Sequence, residues 1–259
     1  MGARPSQRDA SVSTCWRRFC ELQGLAPDPL DAEVAEAFVV VGLPGRAPGT
    51  KGTYRSALRR AAGGGRPSLA TPFGGSPAKA PYSAEETAEL FAVAASQRAP
   101  WRRASALALL VLGLGAGLRP GELAAATGDD VRARGGRVRA QVGAGRVVPV
   151  LGAYAKTLAH QANQAGPGYL FCPGEADRSY YNFVNNFCYH LQADPGAPRL
   201  CLRRARSSFI CDHLAAGTPL RELLYISGIS EVESLLRYAR HVPGAPGSKA
   251  ELRKRLRCG

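Results

Sequence analysis

The chain has 259 residues, 45% of them hydrophobic, enough to bury the core of one large domain or two small ones. Its 34 Lys and Arg outweigh 20 Asp and Glu, and the formal charge of +14 with a pI near 9.9 suits a polyanionic partner, nucleic acid ahead of an anionic membrane. The seven cysteines are odd in number and form no C-x-x-C pair, which argues against a disulfide framework or a zinc site and fits reduced thiols in a cytoplasm.

MGARPSQRDAS carries no apolar signal-peptide core, and the longest apolar run, 104–118, is short for a membrane span. No membrane partner is expected. Residues 11–62 read as a small helical unit. Ser11, Ser13 or Thr14 can cap a helix running through Trp16, Phe19 and Leu22 to Gly24. Pro29 opens a second helix through Val34, Phe38 and Val41, and Thr50 caps a third. The third sets Lys51, Arg55, Arg59 and Arg60 near one another, because residues three or four apart share a helix face. That stripe is either a phosphate-contacting surface or an ordinary solvated one. The Gly-, Pro- and Ser-rich stretch 63–83 then marks a boundary, giving a helical domain over 1–66, a linker over 67–82 and a larger domain over 83–259.

In the larger domain, Ser83-x-x-Glu86 is a capping box. Residues 101–117 are apolar nearly all round and read as a buried central helix. RVRAQV (137–142) and RVVPV (146–150) flank a GAG turn and predict a β-hairpin. Helices are expected over 153–164, 182–191, 202–216, 219–225 and 231–240, and the C-terminal SKAELRKRLRCG is a basic amphipathic tail containing Lys249, Arg253, Lys254, Arg255 and Arg257. The expected class is mostly α with a small antiparallel β-sheet.

GLGAGLRPGEL (113–123) alternates glycines before Arg119. A dinucleotide fingerprint fails here: Leu118 takes the third glycine position, and no Gly-Lys-Ser/Thr of a P-loop follows. The glycines are better read as ending the central helix, with Pro120 opening the next and Arg119 at the joint, where Glu122 can hold its guanidinium. In LCLRRARSSFICDHLAAG, Arg203, Arg204 and Arg206 begin an otherwise apolar helix, and Arg206, one turn before Ile210, points partly inward. A buried arginine calls for an anion. SGISEVESLLRYARHV offers Tyr238 on a short helix, with Tyr225, Tyr180 and Tyr181 as competing phenols. Two arginines and a phenol are a plausible centre for phosphoryl transfer without a metal or other cofactor.

These three stretches, in this order and with the hairpin between them, resemble the tyrosine recombinase (phage integrase) family. GLGAGLRPGEL resembles its first arginine motif, RARSSFICDHLAAG its second and SGISEVESLLRYARHV its closing tyrosine motif. The composition and the stretch YLFCPGEADRSYYNFVNNFCYHL look most like integrase-like proteins of actinobacteria. The resemblance spans about 11–242 and implies a core-binding domain joined to a catalytic domain, closing on double-stranded DNA. It implies a site-specific recombinase or integrase that cuts and rejoins DNA through a 3′-phosphotyrosyl bond, with no ATP, metal or cofactor. Tyr238 is then the nucleophile and Arg119 and Arg206 the phosphate clamp, supported by Arg203 and Glu122. Lys51, Arg55, Arg59 and Arg146 become DNA contacts. A homotetramer on paired sites, accessory DNA-bending proteins and a bacterial or phage-encoded, nucleoid-associated cytoplasmic location follow from the same resemblance.

The chain departs from the family's pattern at three places. Arg203 stands where the family commonly has His, Ile229 stands where it has His or Trp, and the hairpin lacks a lysine, Arg146 and then Lys156 being the nearest basic residues. His213, on the stripe of Arg206, and His241, three residues past Tyr238, are the histidines near these motifs. The alternative reading is therefore an integrase-like DNA-binding protein without catalysis, acting as an accessory or regulatory factor.

Overall fold

The computed structural model describes residues 7–28, 30–62, 77–143, 145–178 and 182–242. The chain divides into two compact units, Met1–Pro77 and Ala78–Gly259. The expected positions Pro29, Tyr180 and Tyr181 and the basic C-terminal tail lie outside the described residues.

The first unit holds three helices among its described residues, α1 (Gln7–Gln23), α2 (Ala32–Val41) and α3 (Pro48–Ala61). Trp16, Cys20, Phe38, Val39 and Leu58 form its core, with the Trp16 and Phe38 rings edge to face at 5.7 Å. Helix α1 begins before the three hydroxyl residues expected to cap it. Thr14 Oγ1 instead donates to Ala10 O (3.0 Å), a bond made from inside a helix. Asp31 caps α2, accepting from the Glu33 and Val34 amides at 2.8 and 2.9 Å. Thr50 lies within α3, which opens on Pro48.

The second unit is organised around α5 (Pro100–Ala116), whose inner turns are buried. It packs against α4 (Ala84–Ser96), α7 (Gly152–Ala165) and α9 (Leu202–Ala215). Ser83 and Glu86 form the expected capping box on α4 at 3.1 and 3.0 Å. The alternating glycines do two different jobs. A Cβ at Gly113 would sit 2.8 Å from Ala205 Cβ, and one at Gly115 would sit 2.9 Å from Tyr154 Cβ, so these two let α9 and α7 approach the central helix. Gly117 alone ends the helix: its φ of +60° is left-handed, and Leu118 N–H reaches back to Leu112 O at 3.2 Å.

After α6 (Pro120–Ala125) comes an antiparallel sheet in the order β1 (Val131–Arg134), β2 (Arg137–Val142), β3 (Arg146–Pro149). The hairpin lies where the sequence places it. Strand β1 was not expected, because VRAR buries only Val131 and shows no hydrophobic alternation. Its turn was nonetheless written in the sequence: Gly135 and Gly136 both take positive φ, +56° and +74°, as a two-residue primed turn requires. The chain closes with α8 (Phe183–Tyr189), α10 (Leu220–Ser227) and α11 (Val232–Ala239).

The last residues of the stretch read as linker pack on the second unit. Buried Tyr82 donates to Arg199 O and accepts from the Cys201 amide, both at 2.7 Å. Arg204 stacks on its ring at 4.0 Å and pairs with Glu86 at 2.6 Å. Burial pushes the Tyr82 hydroxyl well above its ordinary pKa, so it stays protonated and keeps its donor role.

A Cβ added at Gly117 would strike the Phe209 ring as well as strain the backbone. Gly117→Ala is therefore expected to lower unfolding free energy by about 2–4 kcal/mol. Gly135, also left-handed but in open space, should tolerate Asn at a cost below about 1 kcal/mol. Urea unfolding of the two variants checks the contrast.

Candidate functional site

Arg119 occupies the cap position of α6, between the Gly117 turn and Pro120. Its own amide donates to Glu122 Oε2 at 2.7 Å, and its guanidinium lies 4.0 Å from Glu122 Oε1. Arg206 sits on the second turn of α9, where the burial of Ala205, Phe209 and Ile210 turns that face inward. Arg146 opens β3. It lies opposite Val142, on the sheet face that also carries buried Val148, and only 12% of its side chain is exposed. Three chain segments far apart in sequence thus deliver three guanidiniums.

All three converge on one short turn, 226–228, at the C-terminal end of α10. Arg146 Nη1 donates to Ile226 O, Arg206 Nη2 to Ser227 O (2.6 Å) and Arg119 Nη2 to Gly228 O. Arg206 Nη1 also donates to Gly117 O, tying the turn that precedes Arg119 to α9. The last carbonyls of a helix have no intrahelical donors and carry the negative end of its dipole, so they attract cations. Gly228 takes φ +64°, and a Cβ there would press on Arg146 Nε (3.2 Å) and Arg119 Nη2 (3.3 Å), so the turn needs glycine both for its backbone and for the approach of the arginines.

One carboxylate serves the cluster. Glu122 Oε1 lies 2.6 Å from Arg146 Nη2, an ion pair off the angle of a hydrogen bond, while its other oxygen holds the Arg119 backbone. Burial pushes the Arg206 guanidinium below its ordinary pKa; Tyr238 opposes that shift, Arg119 adds to it, Glu122 opposes it and Arg146 adds to it. Tyr238, on the last turn of α11, is half-buried against the core at its ring. Among the described residues its hydroxyl has no hydrogen-bond partner.

The structure therefore brings together Arg119, Arg206, Arg146 and Glu122, and Tyr238 lies on α11, the helix that follows their shared turn. It leaves Arg203 exposed on the first turn of α9. Ile229 is half-buried against the core, and Lys156 is exposed on α7. His213 faces Phe209 at 4.5 Å and Thr218 Oγ1 at 2.9 Å, and burial lowers its pKa. His241 Nε2 lies 3.3 Å from Ala78 O. In the first unit, Lys51 donates to Val40 O at 2.8 Å, Arg55 pairs with buried Glu36, and Arg59 reaches the same carboxylate at 3.9 Å.

Two supports went unread in the sequence. Tyr225 on α10 donates to Gly145 O and accepts from the Val147 amide, both at 3.1 Å, and so fixes the root of β3 beside Arg146. Arg178 lies over Tyr169 at 3.9 Å and donates to Ala124 O, Phe171 O and Cys172 O at 2.6–2.7 Å, holding the far end of the helix that Arg119 begins. Tyr225 lies outside the three motif stretches, and Arg178 lies within the stretch 169–191, where nothing local marks it as a support. Among the described residues, no group of three or more His, Cys, Asp or Glu is placed to hold a metal, and no helix is long and apolar enough to cross a membrane.

Glu122→Gln removes the one carboxylate among the three cations and is expected to cost about 1–3 kcal/mol of stability. Inorganic phosphate should recover part of that loss by binding the exposed guanidiniums. Thermal unfolding of both proteins with and without phosphate measures the effect.

No protein-family model matches the sequence, and no curated protein is significantly similar to it. Solved structures do match. The XerH site-specific recombinase bound to its difH substrate superposes with a TM-score of 0.62 at 15% identity, over 90% of this chain and 76% of that one. The Tn1549 transposon integrase in complex with transposon right end DNA gives 0.61 at 14% identity, over 99% and 95%. The same integrase with circular intermediate DNA gives 0.58 at 16% identity, over 98% and 94%. With helices packed about α5 and a three-stranded antiparallel sheet, the chain has the fold of the tyrosine recombinases.

Proposed function

We propose that the chain is a site-specific DNA recombinase that acts through a 3′-phosphotyrosyl intermediate. The observation that carries this reading is the meeting of the Arg119 and Arg206 guanidiniums on one turn, a few residues before the helix that carries Tyr238. The DNA-bound structures with the same fold support double-stranded DNA as its partner.

In this reading the scissile phosphate takes the place now held by the 226–228 carbonyls. Its nonbridging oxygens accept from Arg119 and Arg206, and Arg146 adds a third positive charge nearby. The Tyr238 phenol gives its proton to solvent, its oxygen bonds to phosphorus, and the bond to the 5′-oxygen breaks. That oxygen takes up a proton and leaves as a 5′-hydroxyl. A partner strand's 5′-hydroxyl reverses the step, so the energy of the linkage is retained. The transition state carries more negative charge than the ground state, and fixed guanidiniums favour it selectively. Arg203, where the resemblance expects His, offers hydrogen-bond donors and no acceptor, so it can contact phosphate but not take the phenol proton. Lys51, Arg55 and Arg59 are proposed backbone contacts of the first unit, reached by exchanging their present partners for phosphate. Pairing of protomers on two sites as a tetramer, with accessory DNA-bending proteins, completes the proposal.

A second reading, DNA binding without cleavage, is favoured by Arg203 and Ile229 at positions where proton-transferring or hydrogen-bonding side chains are expected. One experiment separates the two. The chain is incubated with a pool of nicked duplexes of randomised sequence, and denaturant-resistant protein–DNA adducts are recovered and sequenced. The recombinase reading predicts adducts that Tyr238→Phe abolishes and that Arg206→Ala reduces by about 10²–10³-fold. Specific duplex retention with no adduct at any sequence supports the binding reading and overturns the first.

A further inference from the structure

The hairpin that delivers Arg146 carries a second set of arginines on its other face. Strand register puts Arg132 opposite Arg139 and Arg134 opposite Arg137. Side chains alternate along a strand, so these four share one face, while Val131, Val138, Ala140 and Val142 take the other and pack into the core. All four arginines are exposed.

Directly opposed residues on an antiparallel pair stand about 5 Å apart, and the two pairs are about 7 Å apart along the strands. Four like charges in so small an area repel one another and weaken the ladder. Among the described residues none of the four has an ion-pair partner. Asp130, just before β1, is engaged instead: its Oδ2 accepts from both the amide and the hydroxyl of Thr127 at 2.8 Å. A fold keeps such an uncompensated face at a cost, and an external polyanion supplies the missing counter-charge.

We infer that the outer face of the sheet is a phosphate-contact surface for duplex DNA, engaging the backbone away from the bond that Tyr238 attacks. The face is suited to a duplex rather than to unpaired bases, because its remaining residue on β2 is Gln141 and it offers no aromatic ring for stacking. Arginines contacting phosphates position a protein on DNA without reading its sequence. The two faces divide the work: inward, Arg146 joins the site; outward, the four arginines hold flanking duplex. The choice of DNA rests on the recombinase reading; the polyanion surface rests on the register alone.

The test is the salt dependence of binding to a 40-base-pair duplex of arbitrary sequence, followed by fluorescence anisotropy. Each phosphate contact contributes about 0.9 to the slope of log K against log salt. Replacing Arg132, Arg134, Arg137 and Arg139 together by Gln should reduce the slope by about 2–4. It should leave thermal stability equal or raised, because repulsion is removed. Replacing Lys79, Arg98, Lys156 and Arg221 by Gln, the same charge lost elsewhere on the second unit, should change the slope by less than about 1. A slope unchanged in the first variant, an equal fall in both, no duplex binding by the parent chain, or unfolding of the first variant overturns the inference. Equal or tighter binding to duplex RNA with the same loss of slope overturns its assignment to DNA. Because the slope reads binding alone, a chain that loses slope but forms no Tyr238 adduct keeps this surface and loses the recombinase reading; an adduct with an unaltered slope does the reverse.

Discussion

Three guanidiniums share the end of one helix. The carbonyls of Ile226, Ser227 and Gly228 receive Arg146, Arg206 and Arg119 respectively, and the rest of the second unit is arranged so that they can. Cations brought this close repel one another, and among the described residues one carboxylate, Glu122, pairs with two of them, Arg119 and Arg146. The negative end of the α10 dipole makes up part of the difference. The turn keeps three donors aimed at one short stretch of backbone.

The fold serves that convergence through packing. Buried α5 is the reference to which α9 and α7 are fitted, and Gly113 and Gly115 set how near they come. Gly117 stops the helix so that Arg119 leaves it in the right direction, and Phe209 fills the space the glycine leaves open. Tyr225 binds α10 to the start of β3, so the helix that receives the arginines also locates one of their sources. The segment carrying Tyr238, α11, follows the same turn after only a few residues.

Much of this was legible in the sequence where local chemistry and periodicity agree. The Ser83 capping box, the apolar central helix and the β2–β3 hairpin each rest on a signal within a few residues, and each is present. So is the joint at Arg119, because proline after a glycine stop has few other conformations. What could not be read was set by distance. VRAR has no strand pattern of its own and becomes one by pairing with β2. Tyr225 and Arg178 look like ordinary residues until the loops they hold are brought beside them. Lys51 and Arg55 share a face with Arg59 as spacing requires, yet that face meets Glu36 and the end of α2, which no helical wheel of α3 reveals.

Arg119, Arg206 and Tyr238 are proposed to act on a single phosphate. Orthovanadate, which adopts the five-coordinate geometry of phosphoryl transfer, tests it most directly. Crystals of the chain with a nicked duplex recovered by adduct selection, grown with orthovanadate, should show vanadium bonded to Tyr238 Oη and to the 5′-oxygen on opposite sides. The guanidiniums of Arg119 and Arg206 should lie on its equatorial oxygens, and the 226–228 carbonyls should have released them. Vanadate seated elsewhere, or the arginines still bound to the turn with Tyr238 apart from the metal, would show that the three do not share one phosphate.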